Sequence, residues 1–304
     1  MKRNMLSAVL IVLSVSLFLV VSGCAPQEPE LGTEENPIVW AFVPSGDTQE
    51  ISAGGRAVAD MIFERTELVV EASVATEYAG VIEALQSDPP SAHMASLATF
   101  AYVVAADRGV AEAELVAVRY GRPFYDGQII AGADTGIRTL ADLAGKSFAR
   151  PDPLSTSGWI IPSLTIRAAG VNPDTDLSRI VDAGGHTGVI TAVYNGDVDA
   201  GATFVDARGN VEEDFPDVYE KVQVIEVSIP IPNDGVQFHP SVPDDMKEQI
   251  IQALLEIAET EEGAEALGQA YQWQGLERHG DDFYDPFRQT LQAAGVDATA
   301  LMGD

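Results

Sequence analysis

From residue 38 onward, short apolar runs alternate with helix-length amphipathic segments, and this alternation restricts the fold more than any other feature of the chain. Residues 38–43, 68–71 and 92–95 have strand character, and 54–65, 78–86 and 97–106 carry helical patterns. Strands punctuated by helices of this size form βαβ units around a mostly parallel sheet. A second series begins near Gln128, with strands expected at 128–131, 146–149, 179–182 and 199–202. Helices are expected at 158–169 and 187–194. Strands at 222–228 and 236–238 precede a helical C-terminal part at 243–260, 262–272 and 286–294. Two successive series predict an α/β fold with two lobes, for which 304 residues suffice. Open α/β sheets take ligands beyond the carboxyl ends of their strands, so the junction of the lobes is the expected cleft.

The segment before residue 38 reads as targeting sequence. Lys2 and Arg3 precede an apolar run, 8–21, which ends in Val21-Ser22-Gly23-Cys24. This is the pattern of a secretory signal, 1–23, and its run is too short for a comfortable transmembrane helix. A cysteine directly after small residues resembles the bacterial lipobox, which implies cleavage before Cys24 and acylation of Cys24. Residues 24–37 are rich in Pro and Glu, without an aromatic, and are expected to be a disordered tether. Cys24 is the one cysteine, so no internal disulfide can brace the fold.

Charge limits the partners. With 17 Lys+Arg against 47 Asp+Glu, the net charge of −30 repels nucleic acid and anionic headgroups. An anionic ligand would have to be held by local structure against that field. Asp152-Pro153-Leu154-Ser155-Thr156-Ser157-Gly158-Trp159 supplies such structure, lying between an expected strand and an expected helix. Hydroxyls and free N–H groups at a helix N-terminus donate to an oxyanion, aided by the helix dipole. The same residues also suit a plain N-cap with surplus hydroxyls, and the motif by itself leaves both open. Gly185-His186-Thr187 precedes another helical pattern, from whose N-terminus His186 could donate to an oxyanion; in isolation, a cap or a satisfied surface histidine is the better reading.

Several stretches, in order, resemble the phosphonate, phosphite and phosphate binding proteins of ABC importers, within the type II periplasmic binding proteins. They are Glu77-Tyr78-Ala79-Gly80, Pro123-Phe124-Tyr125, Leu140-Ala141-Asp142-Leu143-Ala144-Gly145-Lys146, the Ser155-Thr156-Ser157-Gly158 loop and Ala183-Gly184-Gly185-His186. The hydroxyl loop combined with the spaced histidine is the specific part. The resemblance implies two α/β lobes joined by two crossover strands, lobe one 38–126 plus 231–304 and lobe two 127–230. It implies that Ser155, Thr156, Ser157 and His186 hold the oxyanion from lobe two, with Tyr78 reaching it from lobe one and Tyr125 from the hinge. Asp206 and Asp234 align with acids facing the rest of the ligand, where a carboxylate pairs with an amine or accepts from a protonated phosphoryl oxygen. Asp206 stands where an amine-binding member has a longer Glu. The implied partners are a small phosphorus oxyanion, an ABC permease with its ATPase, and the membrane through the lipid, with the protein as a monomer. A sensor handing the same signal to a membrane kinase is the alternative.

Enzymatic readings find less support. Ser155, His186 and Asp206 could be drawn as a triad, but no Gly-x-Ser-x-Gly elbow surrounds Ser155. His93, His186, His239 and His279 include no i, i+4 pair, so no metal site is expected, and no cofactor either.

Overall fold

The computed structural model describes residues 29–296 and 298. The expected signal sequence and Cys24 lie outside the described residues. In chain order the strands are β1 (Ile38–Phe42), β2 (Val70–Val74), β3 (Met94–Ser96), β4 (Glu112–Val118), β5 (Phe124–Gly132), β6 (Ser147–Arg150), β7 (Arg179–Asp182), β8 (Ala200–Phe204), β9 (Val222–Pro232), β10 (Gly235–Phe238) and β11 (Gly275–Arg278). The helices are α1 (Thr48–Thr66), α2 (Tyr78–Gln86), α3 (Thr99–Asp107), α4 (Ile161–Ala168), α5 (Pro173–Asp176), α6 (His186–Asn195), α7 (Val218–Lys221), α8 (Asp244–Ala258), α9 (Glu261–Tyr271) and α10 (Asp285–Ala293).

The strands form two sheets, as the two series of the sequence predict. The first has the order β11-β4-β10-β3-β1-β2 and the second β7-β6-β8-β5-β9. Each is parallel at one end: β1 lies parallel to β2 and β3, and β6 parallel to β7 and β8. The expectation of mostly parallel sheets is corrected in the other half of each sheet. There β10 runs antiparallel to β3 and β4, β11 to β4, and β5 to β8 and β9. Neither β4 nor β11 was expected. The β4 sequence, Glu-Ala-Glu-Leu-Val-Ala-Val, is rich in helix formers, and its burial between β10 and β11 overrides that propensity.

The first lobe encloses β1, whose Ile-Val-Trp-Ala-Phe is covered on both faces. Helix α1 presents Ile51, Gly54, Val58 and Ile62 to it at helical spacing. Asp47 accepts from the N–H groups of Gln49 and Glu50, so α1 starts six residues before the expected 54. One apolar cluster runs from this lobe to Phe148, Trp159 and Ile160 on one side of the second sheet. The other side of that sheet has its own cluster, with Ile130 against Val189, Ile190 and Val193 of α6.

The chain crosses between the sheets at 119–123 and at 233–234, between β4 and β5 and between β9 and β10. The expected boundaries, 126/127 and 230/231, fall inside the second sheet. Phe124 pairs there with Pro232, and Asp126 with Pro230. The expected disorder through residue 37 is also corrected. The N–H of Gly32 donates to the Asn36 carbonyl, the Gly32 carbonyl accepts from Val69, and Leu31 packs on the core. Polar composition did not reveal this turn, because backbone hydrogen bonds and one leucine make it.

Candidate functional site

A cavity of about 940 Å³ lies between the two lobes. Its wall is assembled from the segments that follow β1, β2, β3, β6, β7 and β8, at the carboxyl ends of the parallel strands. Four helical N-termini arrive together there. They are α2 at Tyr78, α3 at Thr99, the i→i+5 turn Thr156–Ile160 that leads into α4, and α6 at His186. Glu77, Ala98 and Gly185, which precede α2, α3 and α6, form no side-chain cap among the described residues. The positive ends of the helix dipoles therefore face one space, although the N–H groups of Tyr78, Phe100 and His186 are taken by Asp152, Thr156 and the Ser45 carbonyl.

The hydroxyl loop is buried within that wall, with Ser155, Thr156 and Ser157 each at most 2% exposed. Ser155 Oγ accepts from the Gly158 N–H at 3.2 Å, and the Ser155 carbonyl accepts from Trp159 and Ile160 at 2.9 and 3.0 Å. Thr156 Oγ1 accepts the Phe100 N–H at 2.8 Å, across the lobes. Glycine is required at 158, since a Cβ there would overlap the Pro151 ring and crowd Ser155 Oγ. The loop is therefore a cap whose three hydroxyl residues also line the cavity, so the two readings left open by the motif are compatible.

His186 is buried, and its Nδ1 lies 2.7 Å from Thr203 Oγ1. Burial, with the Arg119 charge adding to it, lowers its pKa to about 3, so the ring is neutral at physiological pH. When Thr203 donates to Nδ1, Nε2 carries the proton and is the donor left for the cavity. Gly184, in the left-handed region at φ 76°, makes the turn that swings the chain from β7 into α6. The N–H of His186 donates to the Ser45 carbonyl at 2.9 Å, a second contact between lobes.

Tyr78 is 1% exposed, and its hydroxyl has no hydrogen-bond partner among the described residues. Burial, then the Asp152 carboxylate, pushes that hydroxyl well above its usual pKa, so it stays a donor. The N–H of Tyr78 donates to Asp152 Oδ2 at 3.2 Å. Burial, followed by the Asp234 carboxylate, pushes the Tyr125 hydroxyl up to about 12.

All eight expected residues line this cavity, but the two acids stand differently from the rest. Asp206 is exposed and in the left-handed region at φ 65°, where it opens the turn Ala207–Val211. Asp234 does not present a free carboxylate. Arg119 grips both of its oxygens, and the Trp273 indole N–H donates to it at 3.3 Å. Arg119 also donates to Asn233 Oδ1 at 2.7 Å and to the Tyr271 carbonyl at 2.9 and 3.2 Å. Burial opposes its charge, but Asp234 holds its pKa above the ordinary value. Sequence reasoning missed Arg119, although a base is scarce in so acidic a chain and this one stands just before Pro123-Phe124-Tyr125. It also missed Thr203 and Tyr271, for which no local motif exists.

The buried part of the site thus combines hydroxyls, a neutral histidine and dipole ends with the paired charges of Arg119 and Asp234, and the exposed acids Asp47, Glu50, Asp206, Glu213 and Asp214 also line it. His186 Nδ1 meets Thr203 and not Asp206. No group of three or more metal-ligating side chains converges among the described residues.

Residues 40–284 match the family model described as the periplasmic substrate-binding protein of the phosphonate ABC transporter. The chain belongs to that family. Among curated relatives, the phosphate-import protein PhnD of Mycolicibacterium smegmatis is 33% identical over 200 residues, covering 61% of this chain and 62% of the relative. The chain thus spans less than two thirds of that relative's length. The phosphonates-binding periplasmic protein of Escherichia coli is 27% identical over 280 residues, covering 90% of this chain and 81% of the relative. A binding component of an ABC phosphonate transporter from Pseudomonas aeruginosa superposes with a TM-score of 0.77 at 24% identity, over 85% of this chain and 87% of the other. PhnD1 of Prochlorococcus marinus, solved with methylphosphonate, gives 0.75 at 12% identity, over 85% and 98%. The fold of this phosphonate-binding family member is the type II periplasmic binding protein fold, as expected.

Proposed function

We propose that this protein captures a small phosphorus oxyanion between its lobes outside the cytoplasm and delivers it to an ABC permease, without chemical turnover. The observation that carries this reading is the convergence of four helical N-termini on buried Ser155, Thr156, Ser157 and neutral His186. Such a site stabilises an anion by dipoles and hydrogen bonds, and its charge-assisted bonds are the strong ones. The ligand bridges the hydroxyl loop and His186 of one lobe and the Tyr78 and Tyr125 hydroxyls of the other lobe and the hinge. It stabilises the closed form by its differential affinity for that form. The names of the relatives, phosphate import in one and phosphonate binding in others, favour a phosphorus centre. Acylated Cys24 would hold the protein at the membrane beside its permease.

Calorimetric titration of the mature domain against phosphite, phosphate, methylphosphonate and 2-aminoethylphosphonate, with sulfate as control, tests the reading. Tight binding of one phosphorus oxyanion and none of sulfate is the expected result. Silence across the panel would overturn the ligand class and strip the hydroxyl loop of its role.

A further inference from the structure

At the edge of the cavity, away from the buried hydroxyls, Gln272 Nε2 donates to Asn210 Oδ1 at 2.6 Å. The two residues belong to different lobes. Gln272 is the residue that ends α9, and Asn210 lies in the turn Ala207–Val211 after β8. Each side of this contact is held in an uncommon backbone conformation. Gln272 has φ 57°, and Asp206, which opens the turn carrying Asn210, has φ 65°. Left-handed residues other than glycine persist only where surrounding structure enforces them, and they gather at clamps and switches.

Both sides are also braced toward functional parts of the molecule. The carbonyl of Tyr271, next to Gln272, accepts two bonds from Arg119, which is locked to Asn233 and Asp234 on the opposite crossover. On the other side, Ala207 and Val211 pack in one cluster with Val189, Ile190 and Val193 of α6, whose first residue is His186. The contact therefore joins the hinge to the helix that carries the neutral histidine of the site.

We infer that Gln272 and Asn210 form a latch across the cleft mouth that sets how long a captured ligand stays. The pair touches none of the buried hydroxyls, so it acts on the closed state and not on oxyanion recognition. Its loss leaves encounter with the open cleft unchanged and speeds reopening, which places the effect in the dissociation rate. The inference takes its ligand from the oxyanion reading, but its geometry stands without it.

The test uses Gln272→Ala, Asn210→Ala, Gln272→Asn and the charged pair Asn210→Asp with Gln272→Lys. Gln272→Asn tolerates the left-handed backbone but is one methylene short, so it separates loss of contact from backbone effects. Stopped-flow dissociation of methylphosphonate should quicken about fivefold in the three single variants, the worth of one hydrogen bond. Association should stay within about twofold, and the charged pair should return dissociation toward the wild-type rate. Wild-type dissociation in the single variants would overturn the latch. If another phosphorus oxyanion of the panel binds in place of methylphosphonate, it serves as the probe; if none binds, the oxyanion reading fails and the latch is read from small-angle scattering without ligand. A larger radius of gyration in the single variants, reversed in the charged pair, supports it; an unchanged radius sinks it.

Discussion

Thr156 Oγ1 accepts the backbone N–H of Phe100 at 2.8 Å, so a single hydroxyl of the second lobe satisfies the first turn of a helix in the other lobe. Both groups are buried. Thr156→Val keeps the shape but orphans the Phe100 N–H in the closed form, at a cost of about 1–3 kcal/mol. Affinity for whichever oxyanion binds should fall at least about tenfold, and Thr156→Ser should restore most of it. Calorimetry on the two variants decides between a hydroxyl that matters and one that only fills space. Equal affinities of Val and Ser would sink the bridging role.

Tyr78→Phe should separate stability from binding. The Tyr78 hydroxyl is buried without a partner among the described residues, which disfavours the fold in its own right. Removing it should leave the urea midpoint unchanged or raise stability by up to about 1 kcal/mol, while oxyanion affinity drops several-fold. A variant that lost stability and kept its affinity would show that the hydroxyl serves packing rather than ligand.

Much of this site was legible because its chemistry is local in sequence. Ser155, Thr156 and Ser157 are consecutive, and one strand-to-helix turn carries them all to the cavity. Gly184-Gly185-His186 likewise announces a turn and a helix start within three residues. The hinge was not legible in the same way. Arg119 meets Asp234, Asn233 and Tyr271, partners more than a hundred residues away, and no spacing rule links them. The carboxylate of Asp234 could be placed near the ligand from resemblance, but only the fold reveals that a guanidinium already holds it. Helix α2 coincides with its expected bounds, whereas the start of α1 was missed because its N-terminal turn depends on the Asp47 cap and not on apolar spacing.

Acid should weaken the fold through His186. Its folded pKa, about 3, lies below the value of about 6.5 expected when unfolded. Below that unfolded value the unfolded chain takes up a proton and the folded chain does not. Its contribution is therefore complete above about pH 6.5 and is lost progressively as pH falls toward the folded value. Between pH 7 and pH 5 this one group accounts for about 2 kcal/mol. His93 and His239 are also lowered, each first by burial, and act in the same direction. In His186→Gln they remain, so the difference between variant and wild type isolates His186. Urea titrations at the two pH values should show the variant losing about 2 kcal/mol less than the wild-type protein. Parallel losses would mean that His186 is protonated in the fold.

The Arg119–Asp234 pair gives the most severe substitutions. Its side chains are each 16% exposed, and the guanidinium is fixed further by Asn233 and the Tyr271 carbonyl. Asp234→Ala leaves that cation desolvated without its counter-charge, which should cost about 3 kcal/mol of stability. Arg119→Lys keeps the charge but cannot reproduce the fork that serves Asp234 and the carbonyl together, so it should cost about 2 kcal/mol. Replacing both, Arg119→Met with Asp234→Leu, removes the desolvated charges at once and should be less destabilising than the sum of the single changes. Asp234→Asn is the informative variant for binding. It preserves shape and leaves the Arg119 charge uncompensated beside an anion site, so phosphite, the more fully dianionic at neutral pH, should gain on the more monoanionic methylphosphonate in competition calorimetry. An unchanged competition profile, with stability lost as in Asp234→Ala, would confine the pair to bracing the hinge.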